Sequence, residues 1–174
     1  MDLIQQINNS EHWPSFENPN FMQELDDLAS RAIKQNTIEG YLAALLIYHQ
    51  LCEEMVRLLI ADSRFFIELS IHPAKIKFPK RNRPMFGSAL AELGDGIEFP
   101  EKESFISKCS DFNQRRNQIV HKLTKKTTLG EVEKNLENIA SLYEDIYRIF
   151  DDSHDWYRVC FKDFKKDVFI DYFE

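Results

Sequence analysis

The 174-residue sequence predicts an all-α fold, a single-domain antiparallel bundle of about five to seven helices. Three observations predict it. Apolar residues recur at helical spacing over long stretches, only five Gly and six Pro punctuate them, and the 43% hydrophobic content is enough for one core burying roughly 70% of the unfolded chain's surface. No internal repeat or low-complexity segment divides the 174 residues.

After a short N-terminal piece containing Trp13-Pro14, Asn20 can cap a helix running to about Gln35, with Phe21, Leu25, Leu28, Ala29 and Ala32 on one face. Thr37 caps the main core helix, roughly 38 to 62, whose stripe holds Tyr41, Leu45, Tyr48, Cys52, Met55, Val56 and Leu59. A further turn through Phe65, Phe66 and Leu69 ends at His72-Pro73. Residues 72 to 85 hold three Pro and five basic side chains and are expected to form a loop. Phe86 to Leu93 can form a short helix stopped by Gly94-Asp95-Gly96.

A further helix is expected from about Pro100 to Leu123, with Glu101 and Glu103 complementing the dipole in its first turn. Thr128, with Glu131 completing a capping box, opens the next, whose stripe runs through Val132, Leu136, Ile139, Leu142, Tyr143, Ile146 and Ile149. A last helix after about Ser153 groups Trp156, Cys160, Phe161, Phe164 and Val168, facing the core in preference to a partner.

Cys52, Cys109 and Cys160 are odd in number and far apart, which argues against a disulfide framework or a cysteine zinc site and for a reducing cytoplasm. The N-terminus shows no signal-peptide pattern and no window approaches a membrane span, so a soluble protein with no membrane partner is expected. Net charge is −7, against an indiscriminate nucleic-acid coat. Its distribution is uneven: residues 75 to 83 (Lys75, Lys77, Lys80, Arg81, Arg83) and 108 to 126 (Lys108, Arg115, Arg116, Lys122, Lys125, Lys126) hold 11 of the 22 basic residues and one of the 29 acids, Asp111. A polyanion would be drawn there.

The second of these segments contains Arg116-Asn117-Gln118-Ile119-Val120-His121. Cleaving RNA with its own 2′-hydroxyl needs a group that moves protons near neutral pH and a fixed cation facing the phosphoryl oxygens, which His and Arg supply. Arg148 and His154 stand one residue further apart, with Ile149 after the Arg, and are discounted. On these residues the chain resembles the HEPN family, small all-α domains that carry an R-polar-x-x-x-H motif and often act as metal-independent ribonucleases. The apolar helix around Tyr41 to Ile60, with Glu53 and Glu54, is similar to the helix preceding the motif helix in that family. The likeness covers about a third of the chain. Where family members silenced by nucleotidyltransferase antitoxins carry a Tyr two positions after the motif His, this chain has Leu123, so it does not extend to adenylylation at that position.

On a helical wheel Phe105, Cys109, Phe112, Ile119, Val120 and Leu123 form one apolar arc with Arg116 in its middle, and a guanidinium there needs a carboxylate partner or a cleft. Glu53 and Glu54 are the candidates. Asn117 shares a ridge with His121 and Asn113 and can orient the imidazole. Arg116 lies about 140° around the helix from His121, so one motif copy is expected to close poorly on a phosphate, and a homodimer, which the resemblance also implies, would bring both residues into one cleft. His49, Glu53 and Arg57 form an i,i+4 ladder better read as salt-bridging than as metal ligation. No metal or cofactor is expected, and no P-loop, dinucleotide turn or nucleophile elbow is present.

The expected function is therefore a HEPN-type endoribonuclease, with a toxin or defence effector as its role, Arg116, His121 and Asn117 catalytic and Glu53 and Glu54 in support. Lys122, Lys125, Lys126, Arg115, Lys80 and Arg81 would hold RNA phosphates, and an antitoxin or other protein could be a partner. The alternative is a non-catalytic helical module or regulatory protein that binds a protein or a nucleic acid.

Overall fold

In the computed structural model the described residues are 3–79, 85–125 and 128–167, with the side chains of residues 122, 124, 129, 135 and 165–167 outside them. They form α1 (Leu3–Asn8), α2 (Pro19–Lys34), α3 (Ile38–Ile71), α4 (Phe86–Gly94), α5 (Lys102–Lys122), α6 (Leu129–Leu136) and α7 (Ile139–Asp167), with 3-10 turns at Ser10–His12 and Leu123–Lys125. No strand occurs among them, and the helices pack as the all-α bundle that the periodicity predicts.

The bundle is organised around α3, whose 34 residues span about 51 Å. Thr37 caps it by accepting the Gly40 N–H at 3.1 Å. At Gly40 the end of α2 crosses so closely that a Cβ would collide with the Ala32 carbonyl oxygen, and this approach sets the α2–α3 hairpin. Further along, Leu45, Leu51, Cys52, Val56 and Leu59 are at most 2% exposed. On one side α7 covers them, with Tyr143 stacked on Tyr48 at 3.8 Å and Tyr157 sharing a 2.6 Å hydrogen bond with Ser63. Trp156, Tyr157, Phe161 and Phe164 turn into this core, so the aromatic density of the C-terminal part is packing. Val168 lies outside the described residues.

Four boundaries differ from expectation. Asn20 does not cap α2: the helix starts at Pro19, which suits the first helical position, with Asn18 before it. Likewise α5 starts at Lys102, because Glu101 adopts a left-handed φ of 57° and sends its carboxylate to Arg148 in two bonds of 3.0 and 3.1 Å. The stripe from Val132 to Ile149 is interrupted at Asn138 (φ 58°), dividing α6 from α7. No break occurs at Ser153, whose buried hydroxyl donates to the Ile149 carbonyl one turn back at 2.7 Å, so α7 runs on through Asp167. The N-terminal piece is also partly helical: α1 buries Ile7, and Trp13 donates to the Ile7 carbonyl at 3.2 Å while packing edge-on against Phe161.

One buried cation positions α4. Lys102 is 3% exposed, and its Nζ donates to the carbonyls of Gly94 (2.9 Å) and Gly96 (3.1 Å) and to Glu98 (3.0 Å). Capping the C-terminus of α4 from the first residue of α5 folds the two helices back on each other. The N-terminal end of α4 is thereby carried to the middle of α5. No helix among the described residues is long and apolar enough to cross a membrane.

Candidate functional site

A cleft of about 1070 Å³ opens between α3, α5 and the N-terminal end of α4. From α3 it is lined by His49, Gln50, Glu53, Glu54 and Arg57, from α4 and the residue before it by Met85 to Ser88, and from α5 by Ser110, Asn113, Gln114, Arg116, Asn117, Gln118 and His121. The cleft therefore gathers the motif with both carboxylates singled out on α3.

Within it Arg116 is half-buried and bonds along its own helix. Its Nη1 donates to Asn117 Oδ1 at 3.0 Å and lies 3.4 Å from His121 Nε2, while its Nε is buried with no hydrogen-bond partner. The angle of about 140° between the two residues thus does not keep them apart, because the flexible arginine stem reaches around the helix. A donated N–H requires the imidazole to present an unprotonated Nε2, with its hydrogen on Nδ1. Asn117 orients Arg116 and not the imidazole, as its ridge position had suggested.

Glu53 and Glu54 do not provide the expected carboxylate for Arg116. Arg57 stands four and three residues after them on the same helix and bonds both, Glu54 at 2.6 Å. Of the ladder read from spacing, only Glu53 to Arg57 forms. Among the described residues its walls carry two arginines and two carboxylates, and Arg57 is the one that bonds the carboxylates. The first turn of α4 brings the positive end of its dipole to the cleft.

His49 is the residue that spacing misassigned. It is 5% exposed, packs edge-on against Phe86, and its Nε2 lies 3.1 Å from Asn113 Oδ1. Burial, more than any other cause, holds its pKa below the usual imidazole value; the Asn113 bond opposes the shift and the nearby Arg116 charge adds to it. Asn113 Oδ1 also accepts from Asn117 Nδ2 at 3.5 Å, which links His49 to the motif. The signal available in sequence was a His beside Tyr48 and three residues before Cys52, at the edge of the apolar stripe. Among the described residues no cluster of three or more His, Cys, Asp or Glu could hold a metal ion.

The basic residues divide. Arg115 does not line the cleft: it bonds Asp111 (3.1 to 3.2 Å) and donates to the Glu137 carbonyl at 2.8 Å, tying α5 to the α6–α7 break. Lys108 is paired with Asp145 at 2.6 Å. Lys125 is exposed just after the motif helix; the Lys122 side chain and Lys80, Arg81 and Lys126 lie outside the described residues. Val120 and Leu123, placed on the apolar arc by the helical wheel, are each 42% exposed and flank His121, whereas Phe105, Cys109 and Phe112 earlier on the same arc are fully buried.

Comparison of the chain with protein-family models, curated proteins and solved structures finds no match.

Proposed function

We propose that this chain is a metal-independent endoribonuclease of the HEPN type. The observation that carries the reading is the contact of Arg116 Nη1 with His121 Nε2, 3.4 Å apart in an open cleft. His121 takes the proton from an RNA 2′-hydroxyl, the 2′-oxygen attacks the adjacent phosphorus, and the bond to the 5′-oxygen breaks as that oxygen takes a proton from solvent water, leaving a 2′,3′-cyclic phosphate and a His121 that returns its proton to solvent. Arg116 faces the phosphoryl oxygens, where charge builds. In the free site an Arg116 N–H occupies the lone pair of the base. A phosphate is the stronger acceptor for a guanidinium, so substrate draws Arg116 away and frees Nε2 as it binds.

Unstacked, single-stranded RNA fits an open cleft best, since its backbone can reach the in-line geometry. Lys125, with Lys122 and Lys126, holds flanking phosphates. The apolar flank of Val120 and Leu123 supports a second copy, or an antitoxin or other protein, seated at this edge of the cleft. A toxin or defence effector working in the cytoplasm is the role this chemistry suits.

The test is cleavage of a fluorescent single-stranded RNA in excess EDTA by wild type and by His121→Ala. A fall of at least about 100-fold in the variant is expected. Equal cleavage by both, or none by either, removes the enzymatic reading.

The same exposed flank, with the net charge of −7, favours a second reading in which the bundle binds a protein without cutting RNA. Salt separates the two. RNA held through lysines must weaken steeply as salt rises, whereas apolar docking does not.

A further inference from the structure

We propose that His49 is a positioning residue of the cleft, orienting Asn113 and through it Asn117 and Arg116, so that Arg116 meets the His121 imidazole. The inference rests on the ribonuclease reading for its kinetic consequence, but the bond chain itself does not. Asn113 Oδ1 is the acceptor of the Asn117 Nδ2 hydrogen (3.5 Å), and an oxygen can satisfy His49 Nε2 (3.1 Å) only if that nitrogen carries a hydrogen. The other ring nitrogen, Nδ1, then accepts from Gln50 Nε2 at 3.5 Å. With its amide nitrogen committed to Asn113, Asn117 turns Oδ1 to the Arg116 guanidinium at 3.0 Å.

With the hydrogen on His49 Nε2, the direction of every other bond follows. If the Asn113 amide reversed, its NH2 would face both the imidazole N–H and the Asn117 NH2. If Asn117 followed, its NH2 would face the guanidinium. Each reversal sets donor against donor in a half-buried site, where an unmade bond is costly. His49 alone among these side chains is almost wholly enclosed, held between Phe86 and α5, and it is the fixed end of the chain. At 5% exposure it offers the cleft little surface and acts through its neighbours.

The experiment compares His49→Phe, which keeps a flat ring against Phe86 but removes the donor, with His49→Gln, which keeps an N–H. Asn113→Leu cuts the same chain from the half-exposed side, should the ring replacement disturb packing. Cleavage kinetics in EDTA are read beside the 15N shifts of the His121 ring, which report its tautomer without RNA. His49→Phe and Asn113→Leu should each lower kcat about 10- to 100-fold with KM within about twofold, and the double variant should lose little more. His49→Gln should recover most of the rate, and the His121 ring should change from one tautomer to a mixture in the first two variants. Wild-type kcat and unchanged His121 shifts in both His49→Phe and Asn113→Leu would overturn the inference and leave the ribonuclease reading standing. Absence of cleavage by wild type, with the His121 shifts still responding, would overturn the reading and leave the positioning chain intact.

Discussion

Among the described residues the same contact occurs twice, an arginine N–H to an imidazole Nε2, and the two copies differ in what surrounds them. In the cleft, Arg116 meets His121 at 3.4 Å on an exposed ring. On the opposite face of α3, Arg158 Nε meets His154 Nε2 at 3.3 Å, and that imidazole is largely enclosed, with its side chain 17% exposed. Its Nδ1 is 2.7 Å from Asp62, a residue with no exposure, and Phe150 stacks on its face. Arg158 is committed further, donating to the Pro14 carbonyl at 2.9 Å and lying over Trp13, so it ties the N-terminal segment to α7. An arginine beside a histidine is therefore not in itself a mark of chemistry. A ring with both nitrogens bonded and its face covered is a strut; His121 has an exposed ring at the edge of a large cleft, which is the placement the proposed proton transfer requires.

Removing each imidazole is the sharpest way to break the comparison. His154→Ala strips the buried Asp62 carboxyl of its partner and should cost about 3–5 kcal/mol of unfolding free energy. His121→Ala should alter stability by no more than about 0.5 kcal/mol, as a surface change does. Urea denaturation measures both. Equal losses would mean that the two sites are alike and that His121 is also structural.

A second, smaller effect sharpens the same contrast through pH. Burial raises the Asp62 pKa above its ordinary value, only partly offset by the His154 hydrogen bond and the charges of His154 and Arg158. A carboxyl whose folded pKa is raised binds its proton more tightly in the folded state. Its contribution is fully present below the unfolded value of 3.8 and is lost as pH rises through the folded pKa. The difference in unfolding free energy between wild type and Asp62→Asn should therefore fall with rising pH across that window and level off above it. A difference that stays flat, or rises, would show that Asp62 is not a penalised buried carboxyl.

What sequence made legible follows the range of each interaction. Helical periodicity is local, so the class and the long apolar stripes of α3, α5 and α7 were readable, as were the Thr37 and Thr128 caps. Helix breaks were less so. Asp151-Asp152-Ser153 resembles a helix start, yet the chain breaks at Asn138, where Arg115 on another helix holds the preceding carbonyl. At the site, the Arg116 to His121 spacing lies within one helix and could be found. The Glu53 to Arg57 rung could also be found, as part of the i,i+4 ladder; that Arg57 would bond both carboxylates and leave Arg116 neither could not, because this depends on reach and rotamer. His49 was least legible, since its partner is 64 residues away and the ladder it forms on paper with Glu53 is equally well spaced.

The smallest predicted effect concerns the open site alone. Lys125 is exposed and lies four residues beyond His121, whereas Lys108 and Arg115, from the same basic segment, are already neutralised by Asp145 and Asp111. If the cleft binds RNA, Lys125→Ala should reduce the slope of log affinity against log salt by about 0.7, the value for one single-strand phosphate contact. Lys108→Ala should leave it unchanged, since that ammonium releases no counterion from the nucleic acid. Fluorescence anisotropy with a single-stranded RNA across a salt series, using the His121→Ala background to prevent cleavage, gives both slopes. Equal slopes for the two variants would show that the basic segment acts as a diffuse charge. In that case the openness of the His121 site, and not the lysines around it, is what distinguishes it from the closed one.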